Sequence, residues 1–267
     1  MTPLARWFVA AVAFMPAAGV LAQAQSPAAI EKLLQERVQA FAQAKVKADE
    51  KADRAFGVTV GTFKTTPNLK EAARADLVEK AVAAMKRFET ARVWPSDPVL
   101  GLLDDEFAYN DELARAFAPV NAAYERSMKA YREAKDDDAV TRLLAEKVKL
   151  VDANFPGHRR FNGGSTWDGK RVGAKGGAGV QMHMRVASVK NATFDGVVEQ
   201  NPQIVGHPIY EVTGTIEGNK LLFVNSKQIQ GTPKPVTISG YLSNGRLFLV
   251  VGKSSYAVLE RTGGPKK

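Results

Sequence analysis

The chain has three histidines and no cysteine, so few of its side chains are suited to metal binding or nucleophilic catalysis. His158, His183 and His207 lie far apart, and none has a second ligand at the spacing of a zinc motif. The sequence contains no Gly-x-Ser-x-Gly elbow, no Ser-x-x-Lys pair and no supported pair of catalytic carboxylates. We therefore expect no bound metal, no cofactor and no enzymatic activity. A hydrolase or a protease inhibitor is the alternative.

A cluster of glycines at 173–179 resembles a phosphate-binding loop in composition, because backbone amides of glycine-rich turns can hold phosphate. It lacks the Gly-Lys-Ser/Thr ending and precedes a predicted strand, so we interpret it as a loop between two strands. Lys170, Arg171 and Lys175 flank or lie within this loop, and Lys234 lies further along the chain. These four cations are the predicted contacts for an anionic ligand.

The net charge of +9 is carried by the C-terminal part of the mature chain. Residues 25–158 have 21 basic against 22 acidic side chains, whereas residues 159–267 have 15 against 6. Such a positive field attracts polyanions or anionic surfaces. For an exported protein these are envelope glycopolymers or lipid head groups, and nucleic acid is not an expected partner. The alternative is that the basic balance only maintains solubility.

Residues 1–24 have the order of a cleavable secretory signal peptide. Arg6 precedes an apolar run from Trp7 to Val20, and the small-residue triplet Ala22-Gln23-Ala24 follows. We predict cleavage after Ala24 and a periplasmic or secreted protein of a Gram-negative cell. The apolar run is too short to span a bilayer, which takes roughly 20 apolar residues. The absence of cysteine excludes a lipoprotein. The alternative is a buried N-terminal helix.

Residues 25–158 predict a helical hairpin or bundle, or an elongated coiled hairpin, with a first helix whose seam is rich in small residues. Four helices are expected. The first runs from Pro27 to about Phe56 and is broken by the segment Gly57 to Gly61; the second has Asn68 as its N-cap and runs to Arg92. The third runs from Asp104 to Ala134 with a kink possible at Pro119, and the fourth is capped by the acidic residues Asp136 to Asp138 and ends near Phe155.

After Gly157 the pattern changes to short runs of alternating apolar and polar residues separated by Gly, Asn and Pro. Gly218-Asn219 and Asn244-Gly245 have the composition of two-residue hairpin turns. Eight strands are expected, at 164–172, 179–189, 192–200, 208–217, 220–228, 235–243, 246–251 and 255–261. Eight sequential antiparallel strands most simply close as an up-and-down barrel.

The barrel interior is predicted to be apolar. A barrel of eight strands is just wide enough either to be filled by its own side chains or to hold one small ligand, and both readings stay open. The predicted inward-facing residues are Val180, Met182, Met184, Val186, Phe194, Val198, Tyr210, Val212, Ile216, Val236, Ile238, Leu242, Leu247 and Leu249.

The C-terminal part resembles the calycin barrels, which include the lipocalins, fatty-acid-binding proteins and avidins. The resemblance rests on Gly164-Ser165-Thr166-Trp167 in the first strand and Leu259-Glu260-Arg261 in the last. It implies that Trp167 packs under Arg261 and closes one end of the barrel. The usual Gly-x-Trp spacing has one extra residue here, and the aromatic cage of the avidins is absent, so biotin binding is not implied.

The helical part is similar to a helical hairpin of uncharacterised exported bacterial proteins, through residues 124–129, 136–139 and 144–147. That similarity implies an architecture and no reaction.

The sequence as a whole thus predicts an α+β protein: a signal peptide at 1–24, a helical domain at 25–158 and a basic barrel domain at 159–267. The expected function is non-enzymatic binding of a small amphipathic or anionic envelope molecule by the barrel. The alternative is a structural or adaptor protein that acts through its helices, by self-association or on a protein partner, with a self-filled barrel. No transmembrane segment is expected.

Overall fold

The structure is a computed structural model that describes residues 27–95, 97–155, 158–173, 179–190, 192–230, 238–243, 245–251 and 255–264. Four helices precede eight strands, so the fold is α+β as predicted. The helices are α1 (Pro27–Thr65), α2 (Glu71–Ala91), α3 (Leu103–Glu133) and α4 (Asp137–Asn154), with short 3₁₀ helices at Pro98–Leu100 and His158–Arg160. The strands are β1 (Thr166–Gly173), β2 (Val180–Lys190), β3 (Thr193–Gln200), β4 (Ile209–Glu217), β5 (Lys220–Gln230), β6 (Ile238–Ser243), β7 (Arg246–Val251) and β8 (Ser255–Gly263).

The first helix is longer than predicted, because α1 continues through Gly57 and Gly61 to Thr65. Each glycine costs roughly 1 kcal/mol of helix propensity relative to alanine. Burial of Phe56, with Val60 and Phe63 packed against the same core, outweighs that cost. The predicted break at these glycines is therefore wrong.

The N-cap predicted at Asn68 is also wrong. Asn68 has a positive φ of 67°, and the N-cap of α2 is Lys70, whose side chain makes no capping hydrogen bond. The cap predicted for the fourth helix is confirmed, since Asp136 accepts a hydrogen bond of 2.9 Å from the backbone N–H of Ala139. Pro119 lies inside α3.

Aromatic rings form much of the helical core. The rings of Phe56, Phe88, Trp94 and Tyr109 contact one another with centroids 5.0–5.5 Å apart, so α1, α2 and α3 share one cluster. A second group joins Phe41 of α1 and Phe117 of α3 to Phe155, which follows α4.

The eight strands form one closed barrel in sequential order, with antiparallel pairing throughout and β1 paired to β8. The predicted up-and-down connectivity is confirmed. Residues that share the inner face form a single buried cluster, which includes Trp167, Met182, Met184, Val186, Phe194, Val198, Val212, Leu242, Leu247 and Leu249. Most of the predicted inward-facing set lies in or against this cluster, while Val236 lies outside the described residues.

The helices cover one side of the barrel wall. Ala114 of α3 packs against Tyr241 and Phe248 on the outer face of β6 and β7, with Phe107 beside them. Because these strands have the barrel core on one face and a helix on the other, β6 and β7 are buried almost continuously.

Polar contacts cross the same surface. The Tyr241 hydroxyl donates to Asp111 Oδ1 at 2.8 Å, and Arg246 Nη2 donates to Glu106 Oε1 at 2.8 Å. The turn between β4 and β5 packs on the helices as well: Gly218 has φ of 61°, and a Cβ there would lie 2.7 Å from the Phe117 ring. We call this contact surface the helix–barrel seam.

None of the described helices is long and apolar enough to cross a membrane. The predicted signal peptide and its cleavage site lie outside the described residues.

Candidate functional site at the far end of the barrel

The barrel has two different ends. The turn at Gly218-Asn219 and the start of β1 lie at the end next to the helices. Strands β1, β3, β5 and β7 terminate at the opposite end, at Gly173, Gln200, Gln230 and Val251. We call this opposite end the far end.

Two of the four predicted ligand contacts lie on β1 near the far end, but on opposite faces of the wall. Side chains alternate along a strand, so Arg171 shares the inner face with the fully buried Trp167, whereas Lys170 is exposed on the outer face. Only Arg171 of this pair therefore projects into the barrel. Lys175 and Lys234 lie outside the described residues.

Gln200 and Tyr210 accompany Arg171 on the inner face. Met182 of β2 is the register partner of Gln200, and Val198 is the partner of Tyr210, so the three side chains lie on β1, β3 and β4, with β2 between the first two. Arg171 Nη1 donates to Gln200 Oε1 at 3.4 Å, which is longer than a normal N–H···O hydrogen bond. The guanidinium is therefore held weakly and keeps most of its donors for another acceptor.

The polar groups at this place are buried and incompletely paired. Gln200 is only 8% exposed, and its Nε2 has no hydrogen-bond partner among the described residues. Tyr210 is 4% exposed; its burial raises the pKa of its hydroxyl, and the positive charge of Arg171 partly offsets that rise. The hydroxyl is thus protonated at neutral pH and able to donate.

No carboxylate among the described residues forms an ion pair with Arg171. An unpaired cation beside a buried amide N–H and a phenol O–H is complementary to an anion, since all three groups donate hydrogen bonds. We call these three residues, Arg171, Gln200 and Tyr210, the donor cluster.

Apolar side chains are exposed near the same end. Val205 is fully exposed and Ile204 is 54% exposed in the connection between β3 and β4, and Ile229 is 50% exposed near the end of β5. Exposed apolar groups at the same end as the donor cluster suit a molecule with one charged and one apolar part.

The pair predicted to close the barrel lies at the helix-facing end. Trp167 is completely buried, and its indole Nε1 donates to Ser165 Oγ at 3.0 Å. Trp167 and Arg261 are register partners on β1 and β8, and Arg261 Nε donates to Gly263 O at 3.1 Å. The Trp167 ring also contacts Phe161, with centroids 6.1 Å apart, so aromatic groups fill this end.

Two of the described histidines have an acidic partner: His207 Nε2 lies 3.4 Å from Glu199 Oε2, and His183 faces Asp168. His183 lies on the outer face of β2 with its Nδ1 2.6 Å from Asp168 Oδ1, and the Thr262 hydroxyl donates to the other carboxylate oxygen. The threonine therefore bonds to the acid and not to the histidine, which is not the arrangement of an activated nucleophile. No group of three or more potential metal ligands occurs within the described part of the chain.

Sequence reasoning identified Arg171 but did not assign Gln200 or Tyr210 to the site. The strand alternation that placed Val198 and Val212 inside also places these two residues inside. A polar residue in an otherwise apolar inward series was the available signal.

Fold and site together define a closed, mostly self-filled antiparallel barrel that is joined to a helical bundle and has a donor cluster inside its far end. Comparisons with protein-family models, with curated proteins and with solved structures gave no match to this chain.

Proposed function

We propose that this is an exported, non-enzymatic binding protein whose barrel takes the anionic head of a small amphipathic molecule at its far end. The guanidinium of Arg171, which lies on the inner face and has no carboxylate partner among the described residues, carries the proposal. Placing a cation on the inner face is unfavourable unless a partner compensates it. An anionic ligand supplies that partner.

The packed interior limits how deeply such a ligand can enter. Met182, Met184 and Val198 are at most 1% exposed and occupy the barrel below the donor cluster. The head group therefore binds at the donor cluster, while the apolar part lies toward Ile204, Val205 and Ile229. In this proposal the barrel is calycin-like in its use of an inward cation at one end, and the positive charge of residues 159–267 steers anions toward it.

The test is a binding titration with short amphipathic probes that share one chain: octanoate, octyl sulfate and octyl phosphate, with octan-1-ol as the uncharged reference. The variants are Arg171→Met and, as a matched control, Lys170→Met, which removes the same charge from the outer face one residue away. A hydrogen bond to a charged group is worth about 1.5–3 kcal/mol, so Arg171→Met is expected to weaken anion binding about 10- to 150-fold.

Lys170→Met is expected to change the affinity by less than about threefold, because an exposed charge contributes little. Octan-1-ol is expected to bind both variants equally. Equal losses in the two variants would show that only the overall charge matters. Failure of all three anions to bind would refute the proposal.

A structural or adaptor role is the second candidate function. The self-filled barrel core favours it, as do exposed apolar residues on one face of α4, where Leu144 is 52% and Val148 is 39% exposed four residues apart. Replacing both by Glu would abolish self-association measured by sedimentation velocity if this face binds a second copy.

A further inference from the structure

A second cavity lies at the helix–barrel seam, away from the donor cluster. It has a volume of about 200 Å³ and is lined by all four helices or their ends, by the turn between β4 and β5 and by the end of β6. Drug-sized ligands occupy roughly 300–1,000 Å³, so this space fits a smaller molecule. Its polar lining includes Lys45, Arg92, Asn110 and Asn219.

Asn219 presents an unpaired acceptor to this cavity. The side chain is 1% exposed, and its Oδ1 has no hydrogen-bond partner among the described residues. Neighbouring bonds fix the orientation of the amide: Asn110 Nδ2 donates to the Glu106 carbonyl at 2.9 Å, so Asn110 Oδ1 accepts from Asn219 Nδ2 at 3.2 Å. The oxygen of Asn219 is left to accept a hydrogen bond from a ligand.

Arg92 presents an unpaired donor. Its Nη2 lies 3.2 Å from Asp49 Oδ2, and its guanidinium lies over the Phe88 ring at 5.1 Å. Its Nη1 is buried and has no partner among the described residues. The arginine is thus fixed in place by two contacts while one of its nitrogens remains available.

Among the described residues, the charged side chains that line the cavity are both positive. Asp49 is shared by Arg92, by Lys45 at 3.0 Å and by the Tyr109 hydroxyl, which donates at 2.8 Å. Burial, followed by the charge of Asp49, raises the pKa of Tyr109, so this hydroxyl stays neutral. Lys45 and Arg92 line the cavity and no carboxylate is among its described lining residues, which favours a monoanion there.

We propose that the helix–barrel seam binds a small monocarboxylate that carries an N–H or O–H donor, with its carboxylate on Arg92 and its donor on Asn219. A hydroxy acid of two to five carbons has this chemistry and size. Because the ligand contacts helices and barrel together, its binding stabilises their association, as any ligand specific for the docked state must.

The test uses a panel of two- to five-carbon monocarboxylates, each compared with its hydroxyl-bearing form: butyrate with 3-hydroxybutyrate, and propionate with lactate. Thermal unfolding and NMR titration of the full mature chain give the affinities. At least one donor-bearing acid is expected to bind about fivefold or more tightly than its bare partner and to raise Tm with concentration.

Arg92→Gln is expected to weaken that acid at least tenfold, since it removes the charged donor. Arg126→Gln, a change at an exposed arginine of α3, is the matched control and is expected to leave the affinity unchanged. Arg171→Met must also leave it unchanged, which separates this site from the donor cluster. Occupancy by water only, equal binding of bare and donor-bearing acids, or no effect of Arg92→Gln would overturn the proposal.

Discussion

Replacing Arg246 by Met is expected to destabilise the protein by an amount that grows with pH above 7. Arg246 and Glu106 form a buried ion pair across the helix–barrel seam, with exposures of 7% and 1%. Burial raises the pKa of Glu106 from 4.5 to about 7, although Arg246 and the Ser243 hydroxyl both act to lower it. Without Arg246 the pKa of Glu106 must rise further.

Proton linkage determines the sign and the size of this pH dependence. In the wild-type protein the folded state holds the proton of Glu106 more tightly than the unfolded state does. The stabilisation from this proton is complete below pH 4.5 and is lost as pH rises to about 7, which lowers the free energy of unfolding by about 3 kcal/mol. Above pH 7 the wild-type carboxyl is ionised, and its contribution becomes constant. In Arg246→Met the folded state still holds the proton, so stability keeps falling by about 1.4 kcal/mol per pH unit.

The difference between wild type and Arg246→Met is therefore expected to increase by about 1 kcal/mol between pH 7 and 8, and to keep increasing until the pH passes the further-raised pKa of Glu106 in the variant. Other titrating groups cancel in this difference if they lie away from the pair. Denaturant unfolding measures it, with Trp94 reporting on the helices and Trp167 on the barrel.

Glu106→Gln provides the control. In that background the cost of Arg246→Met is expected to be independent of pH, because no proton can be taken up. A pH-independent cost of Arg246→Met in the native background would refute the reasoning.

Three further predictions concern stability. Trp167→Ala removes a completely buried ring and is expected to cost roughly 3–5 kcal/mol in denaturant unfolding, whereas a cost below about 1 kcal/mol would show that the ring is not part of the core. Gly218→Ala places a Cβ against Phe117 at a positive φ and is expected to cost at least about 1–2 kcal/mol in thermal unfolding, with no loss contradicting the close approach. Asp136→Ala removes the N-cap bond of α4 and is expected to cost about 1 kcal/mol, with Asp136→Asn restoring most of it if the cap is the cause.

The barrel was largely predictable because short-range sequence signals, namely the alternation of apolar and polar residues and the turn residues, determine its strands. Alternation placed the inward residues, and the Gly218-Asn219 turn ended paired strands where expected. The helices were less predictable at their ends. Local propensity favours a break at Gly57, but the core contact of Phe56 is a tertiary effect that propensity does not contain.

The donor cluster and the ion pair at the helix–barrel seam were less predictable still, because their residues come together only in the tertiary structure. The alternation of side chains along β1 is enough to place Arg171 and Lys170 on opposite faces of the barrel wall. The contact between Arg171 and Gln200, however, depends on the register across three strands, which the sequence does not show. The pairing of Glu106 with Arg246 joins residues 140 positions apart in sequence. No local pattern indicates such a contact, since it arises only when α3 packs on the outside of β6 and β7.

The central claim is that the far end of the barrel binds an anionic amphipathic molecule through Arg171. Native mass spectrometry of the wild-type protein and of Arg171→Met, both purified gently from the native host, tests it most directly. We expect an excess mass on the wild-type protein that leaves on denaturation and is strongly reduced in Arg171→Met. A clean unliganded mass for the wild-type protein, or the same excess mass on both proteins, would contradict it.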